Sequence, residues 1–179
     1  GKPGKTQFEE EVQINLTFPS HLQPKLLKAL FESHPYEEVA YELETLENND
    51  QHRGIGMLGE LEIPLGITEV LSHIKEVFKT KVIRHSQLND KPIQRIAVLG
   101  GSGAFAIEKA KAAKADLYLT ADLKYHDFYK AENQIILADI GHYESEQYTK
   151  DLIHAYLTEK FANFALVLSN INTNPIQYY

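Results

Sequence analysis

From Ile93 onward the chain carries three runs, "IQRIAVLGG", "ADLYLTAD" and "NQIILADIG", that are apolar almost throughout rather than at alternate positions. A strand with one face in water alternates, whereas a strand covered on both faces does not. Helical segments, "AFAIEKAKAAK", "YHDFYKAE" and "YESEQYTKDLIHAYLTEKF", separate or follow these runs. Strand and helix in regular alternation predict an α/β layer with a mainly parallel sheet, because parallel neighbours need a crossover long enough to hold a helix. "FALVLSN" is expected as a last strand, before the irregular tail "INTNPIQYY".

Upstream the pattern is different. "VQINLTF" (Val12–Phe18) alternates and predicts a half-buried strand. In "HLQPKLLKALFESH" the residues Leu22, Leu26, Leu27 and Leu30 recur at helical spacing, with Pro24 tolerable only in the first turn. Val39, Tyr41, Leu43 and Thr45 alternate with polar or small residues and predict a second strand, completing a β-α-β unit. "NNDQHRGIG" (Asn48–Gly56) is the clearest boundary, since Asn, Asp and Gly cluster there. Beyond it "MLGELEIP" is expected as a strand and "KVIRH" as a short one. Between them "GITEVLSHIKEVFKT" is an amphipathic helix with Thr68 as N-cap and Val70, Leu71, Ile74, Val77 and Phe78 as its apolar stripe.

Composition removes several functional classes. A net charge of −7 argues against general nucleic-acid binding, which needs clustered Lys and Arg; Lys109, Lys111 and Lys114 share one helix and are expected on its solvated face. No apolar run approaches the roughly 18–20 residues that span a bilayer, so no membrane partner is expected. The chain has no cysteine, which excludes disulfides and thiolate ligands and is compatible with a cytoplasmic location.

In a parallel α/β sheet, ligands collect beyond the carboxyl ends of the strands. Three such ends carry polar residues here: "GGSG" (Gly100–Gly103), "TADLKYH" (Thr120–His126) and "DIGHYESE" (Asp139–Glu146). If the strands are neighbours, the three loops share one edge. Gly141 allows a sharp turn, and a helix starting near His142 would stack His142 and Glu146 on one face. An imidazole and a carboxylate four residues apart can reach one ion at the roughly 2.0–2.2 Å of zinc-type bonds, and the donor set suits Zn, Mn, Fe or similar ions. Negative charge in a first helical turn is also favoured by the helix dipole alone, so spacing leaves both readings open. Asp122, Lys124 and His126 are candidates for acid–base or charge-stabilising chemistry, set against the ordinary polarity of surface loops. The "GGSG" turn approximates a dinucleotide fingerprint, although a tight strand-to-helix turn explains its glycines equally well. His34, His52, His73, His85 and His154 form no constellation.

"SHPYEEVAYELE", "GIGMLGEL", "IAVLGGSGAFAIEKA", "ADLYLTADLKYHD" and "ADIGHYESE", in that order, resemble the Nif-like (NGG-interacting factor) family, catalogued as the GTP cyclohydrolase I type 2 homologue. The resemblance implies a dinuclear metal site with two divalent ions per complete protomer, two similar α/β halves and a ring-like homohexamer. Residues 52–179 resemble the C-terminal half of that α/β domain; residues 8–51 resemble part of its ferredoxin-like (PII/CutA-like) insert. His142 and Glu146 match the family's C-terminal metal ligands, and Asp122, Lys124 and His126 fall in a polar segment near the same cavity. The family's paired histidines and further carboxylate have no match before Val12, so the chain is expected to be a fragment, binding metal weakly or not at all unless another chain supplies the other donors. The activity implied is metal-dependent hydrolysis of a small-molecule or nucleotide substrate; the alternative is a non-catalytic regulatory or scaffold protein that uses metal for assembly.

Overall fold

A computed structural model describes residues 3–6, 8, 10–48 and 54–179. The chain divides into two compact units, Gly1–Asn49 and Asp50–Tyr179. Residues 49–53, within the boundary segment expected from the sequence, lie outside the described residues.

In the first unit the regular structure among the described residues is one 3-10 turn, Ser20–Leu22, running into helix α1, Gln23–Ser33. Pro24 sits in the first turn, where no amide donor is required of it. The strands expected at Val12–Phe18 and Val39–Thr45 do not form. A strand exists only through the N–H and C=O groups of a neighbour, and no ladder pairs either run. Val12, Ile14, Leu16, Tyr41 and Leu43 all remain exposed, and Tyr41 makes an edge-to-face contact with Phe31 at a centroid distance of 5.7 Å.

The second unit is built on a five-stranded sheet in the order β1-β3-β4-β5-β2. Its strands are β1 (Met57–Leu65), β2 (Arg84–His85), β3 (Ile93–Ser102), β4 (Leu117–Ala121) and β5 (Ile136–Asp139). The central three are parallel; β1 lies antiparallel to β3, and β2 antiparallel to β5. Every residue of β4 and β5 is buried, as uninterrupted apolar strands require. On one face Leu117, Leu119, Ile136 and Ala138 pack with Val70 and Ile74 of α2 (Ile67–Phe78). On the other, Leu99, Tyr118 and Leu137 pack with Ile107 and Ala110 of α3 (Ile107–Ala112). The N-cap of α2 is Gly66, not Thr68: the helix starts one residue before the expected cap, at Ile67, whose side chain is in the core.

Two further expectations fail at the C-terminal end. The long helix is broken into α4 (His142–Glu146) and α5 (Thr149–Lys160). At the break Gln147 Nε2 donates to Phe78 O at 3.0 Å and Tyr148 Oη to Val77 O at 2.9 Å, so the end of α2 holds the turn. "FALVLSN" forms no strand: Phe164 and Val167 are exposed, and no ladder reaches them.

Candidate metal half-site

Because β3, β4 and β5 are adjacent and parallel, the segments that follow them meet at one edge, as expected. Ser102 ends β3, Asp122 follows β4, and His142 opens the helix after β5. His142 stands between two carboxylates. Its Nδ1 lies 2.6 Å from Asp122 Oδ2, and its Nε2 lies 3.2 Å from Glu146 Oε2. The Ser102 hydroxyl donates to the same Asp122 oxygen. All three ionisable side chains are about half exposed.

A residue inside β5, which sequence reasoning did not single out, fixes this geometry. Asp139 is buried, forms an ion pair with Arg84, and accepts the backbone N–H of Leu123 at 2.9 Å and of Gly141 at 3.0 Å. Those amides directly follow Asp122 and precede His142, so one carboxylate anchors both loops. The available signal was a charged residue at the end of an otherwise apolar strand, since a buried charge needs partners. Arg84 also donates to Leu123 O at 2.8 Å, tying edge strand β2 to the same loop.

The glycines answer to close approach. Gly101 has φ +67°, and a Cβ there would run into the Glu146 carboxylate and lie 3.4 Å from His142 Cε1. Its N–H is already donated to Ser145 Oγ at 2.9 Å. A side chain on Gly103 would strike the Thr120 and Tyr118 hydroxyls. Gly141 has φ +92°, and its missing Cβ leaves room for the Glu144 carboxylate. The "GGSG" turn therefore packs against α4 and β4 and has a carboxylate, not open space, facing Gly101, which is a poor cradle for phosphate.

Electrostatics follow from these contacts. The Ser102 hydroxyl, and then the His142 ring, hold the Asp122 carboxyl below the ordinary carboxylate range. The hydrogen bond to Asp122 raises the His142 imidazole above its ordinary value, with the charge of Glu146 acting in the same sense. An imidazole facing carboxylates from both nitrogens calls for positive charge on each side: protons on both, or a cation in place of the proton on Nε2.

The donor set and spacing fit such a cation. Two bonds of about 2.1 Å to atoms 3.2 Å apart subtend an angle of about 100°, between the octahedral and tetrahedral values. The fit stops at two donors. Among the described residues no three His, Cys, Asp or Glu side chains gather around one metal position, and Asp122 is on the opposite side of the ring from Glu146. Lys124 and His126 are not drawn in. Lys124 donates its backbone N–H to Asp127 Oδ2 at 2.9 Å, and His126 packs against the rings of Tyr125 and Tyr129. Neither makes a hydrogen bond or ion pair with Asp122, His142 or Glu146 among the described residues.

Residues 8–175 match the family model described as Duf34/NIF3 (NGG1p interacting factor 3). The chain belongs to the DUF34/NIF3 family. A Bacillus subtilis protein named GTP cyclohydrolase 1 type 2 homolog is 30% identical over 99% of this chain and 49% of its own length. A namesake from Halalkalibacterium halodurans is likewise 30% identical, over 99% of this chain and 49% of its own. Among solved structures, a Bacillus cereus protein related to NIF3 superposes with a TM-score of 0.68 at 31% identity, covering 90% of this chain and 46% of that one. A Staphylococcus aureus protein gives 0.72 at 25% identity, covering 93% and 55%. This NIF3 chain spans about half the length of the curated relatives it matches. Its mixed α/β fold, parallel at the centre, is the fold expected from the sequence.

Proposed function

We propose that this NIF3 chain contributes half of a divalent-metal centre, with His142 Nε2 and the Glu146 carboxylate as its two donors, and that the complete centre carries out hydrolysis of the GTP cyclohydrolase type. The observation that supports the reading is the 3.2 Å separation of Nε2 and Oε2, a spacing that suits two bonds to one ion. The substrate class proposed is a purine nucleotide, after the name GTP cyclohydrolase 1 type 2 homolog that the relatives bear. A nitrogen and oxygen donor pair suits Zn(II), Mn(II) or Fe(II). Such an ion, when bound, supplies Lewis acidity and a water ionisable near neutral pH. The chain's own residues do the rest: Gly101 lets Glu146 come close, Gly141 turns the chain so that His142 opens a helix, and Asp139 holds both loops still. The remaining donors come from outside the described residues, and a second copy or another part of a longer protein can bring them.

Calorimetric titration of the full-length protein, in which the remaining donors are present, with Zn(II) or Mn(II) tests the pair. His142→Ala and Glu146→Ala should each weaken binding by at least tenfold, and unchanged affinity in both variants removes them from the centre. Metal-dependent release of product from GTP, lost in the His142 variant, would support the hydrolase.

A second reading has its own observation. Among the described residues strand β1 is at the sheet edge, and its Met57 and Ile63, with Ile55 just before it, are each more than 70% exposed. An apolar edge of this kind is a surface for assembly, so metal can serve as a staple between copies in a ring-like homohexamer without turnover. Light scattering that shows metal-dependent assembly, with no nucleotide consumed, would favour this scaffold over the enzyme.

A further inference from the structure

We infer that Asp122 is a positioning residue: its carboxylate holds the last proton of the His142 ring on Nδ1 and so leaves the Nε2 lone pair directed at the Glu146 side. The inference rests on the metal reading only for its purpose; the hold on the ring is a property of the metal-free protein.

Two carboxylates compete for one ring proton, and distance separates them. Nδ1 lies 2.6 Å from Asp122 Oδ2, as short as the charge-assisted hydrogen bonds that are the strong ones, whereas Nε2 lies 3.2 Å from Glu146 Oε2, at the long limit of such bonds. Asp122 is also the better anchored of the two. Ser102 donates to the same oxygen, and the backbone just beyond it is pinned by Leu123 N–H to the buried Asp139. The residue itself is held at φ +56°, a left-handed conformation that few residues besides Gly, Asn and Asp adopt readily. Glu146 has its ion pair with His142 and no hydrogen bond to another residue among the described ones, so its carboxylate can swing toward an incoming ion. Ring nitrogens are distinct in this way whenever a carboxylate claims one of them: the bonded nitrogen keeps the proton and the other becomes the donor.

The arrangement also gives the three strand ends separate parts. The end of β3 supplies the hydroxyl that steadies Asp122, the loop after β4 supplies the carboxylate that orients the ring, and the helix after β5 supplies the two groups that would meet an ion. In this role Asp122 acts through His142 rather than on a substrate.

The test uses nitrogen-15 spectra of the metal-free protein in alkaline buffer, where the ring is neutral, with the His142 signals assigned by loss in His142→Ala. The wild-type spectrum should show the proton on Nδ1. Asp122→Gly keeps the left-handed backbone accessible while deleting the carboxylate, and should return the ring to the Nε2–H form that an unconstrained histidine side chain prefers. Asp122→Asn retains an acceptor and should keep the proton on Nδ1. The Zn(II) affinity of the full-length protein should fall by about 10–100-fold in Asp122→Gly and by less in Asp122→Asn. A wild-type ring protonated on Nε2, or an Asp122→Gly variant with unaltered tautomer, overturns the inference. If the full-length wild-type protein takes up no Zn(II), the metal reading falls while the spectrum alone still decides the role of Asp122.

Discussion

The behaviour of His142 is set by what lies at each of its nitrogens, and that makes it sensitive to pH in a direction that can be worked out. Asp122 is held below its ordinary value of 3.8, chiefly by Ser102 and then by His142. Its share of stability is therefore present above that value and lost as pH falls through the lowered one. His142 is raised above 6.5, chiefly by Asp122; its share is complete below 6.5 and lost as pH rises through the raised value. Glu146 and Arg84 act on the same pair through their charges. The metal-free wild type should accordingly exceed Asp122→Asn in melting temperature most clearly between these two ordinary values. The gain should be under about 1 kcal/mol, because the pair is half exposed. A difference that grows steadily toward alkaline pH would contradict the assignment. At the same scale, Gly101→Ala must displace the Glu146 carboxylate and strain a backbone at φ +67°. It should lower both melting temperature and metal affinity, whereas Gly59→Ala, with open space around it, should leave affinity alone.

At the scale of elements, the short helix α4 has five residues and little intrinsic stability, so neighbouring strands must hold it. They do so through Ser145, whose hydroxyl accepts Gly101 N–H and donates to His142 O at 2.8 Å, and through Asp139. Asp139→Ala should cost about 1–3 kcal/mol in urea denaturation, since it strands the Leu123 and Gly141 amides, while Arg84, more than half exposed, can turn to water. A cost under about 1 kcal/mol would show that Asp139 does not organise the edge. The central strands and the two helices that cover them were legible because burial on both faces leaves a continuous apolar signature in β4 and β5. The edge elements were less so. Val12–Phe18, Val39–Thr45 and Phe164–Asn170 have strand-like composition yet form no strand, because composition cannot provide the neighbour that a ladder requires.

At the scale of the whole molecule, the sheet ends on one side in β1, which among the described residues pairs with β3 alone and carries exposed Met57 and Ile63. If this edge serves self-assembly, the double variant Met57→Lys, Ile63→Lys should shift light scattering toward the monomer with the melting temperature of the monomer retained, since both side chains are already in water. An unchanged oligomeric state would exclude the edge as an interface. No helix among the described residues is long and apolar enough to cross a membrane.

The sequence by itself determined the alternation of strand and helix, the parallel centre of the sheet, and the i, i+4 pairing of His142 with Glu146, because each depends on local periodicity and on how far a side chain reaches along a helix. Only the tertiary structure decided that Asp122 meets the far side of the His142 ring, that Asp139 ties the two loops together, and that Lys124 and His126 stand apart. Those relations join residues some 16–20 positions apart across neighbouring strands, and strand order and register set them, neither of which is encoded in the spacing of any one segment.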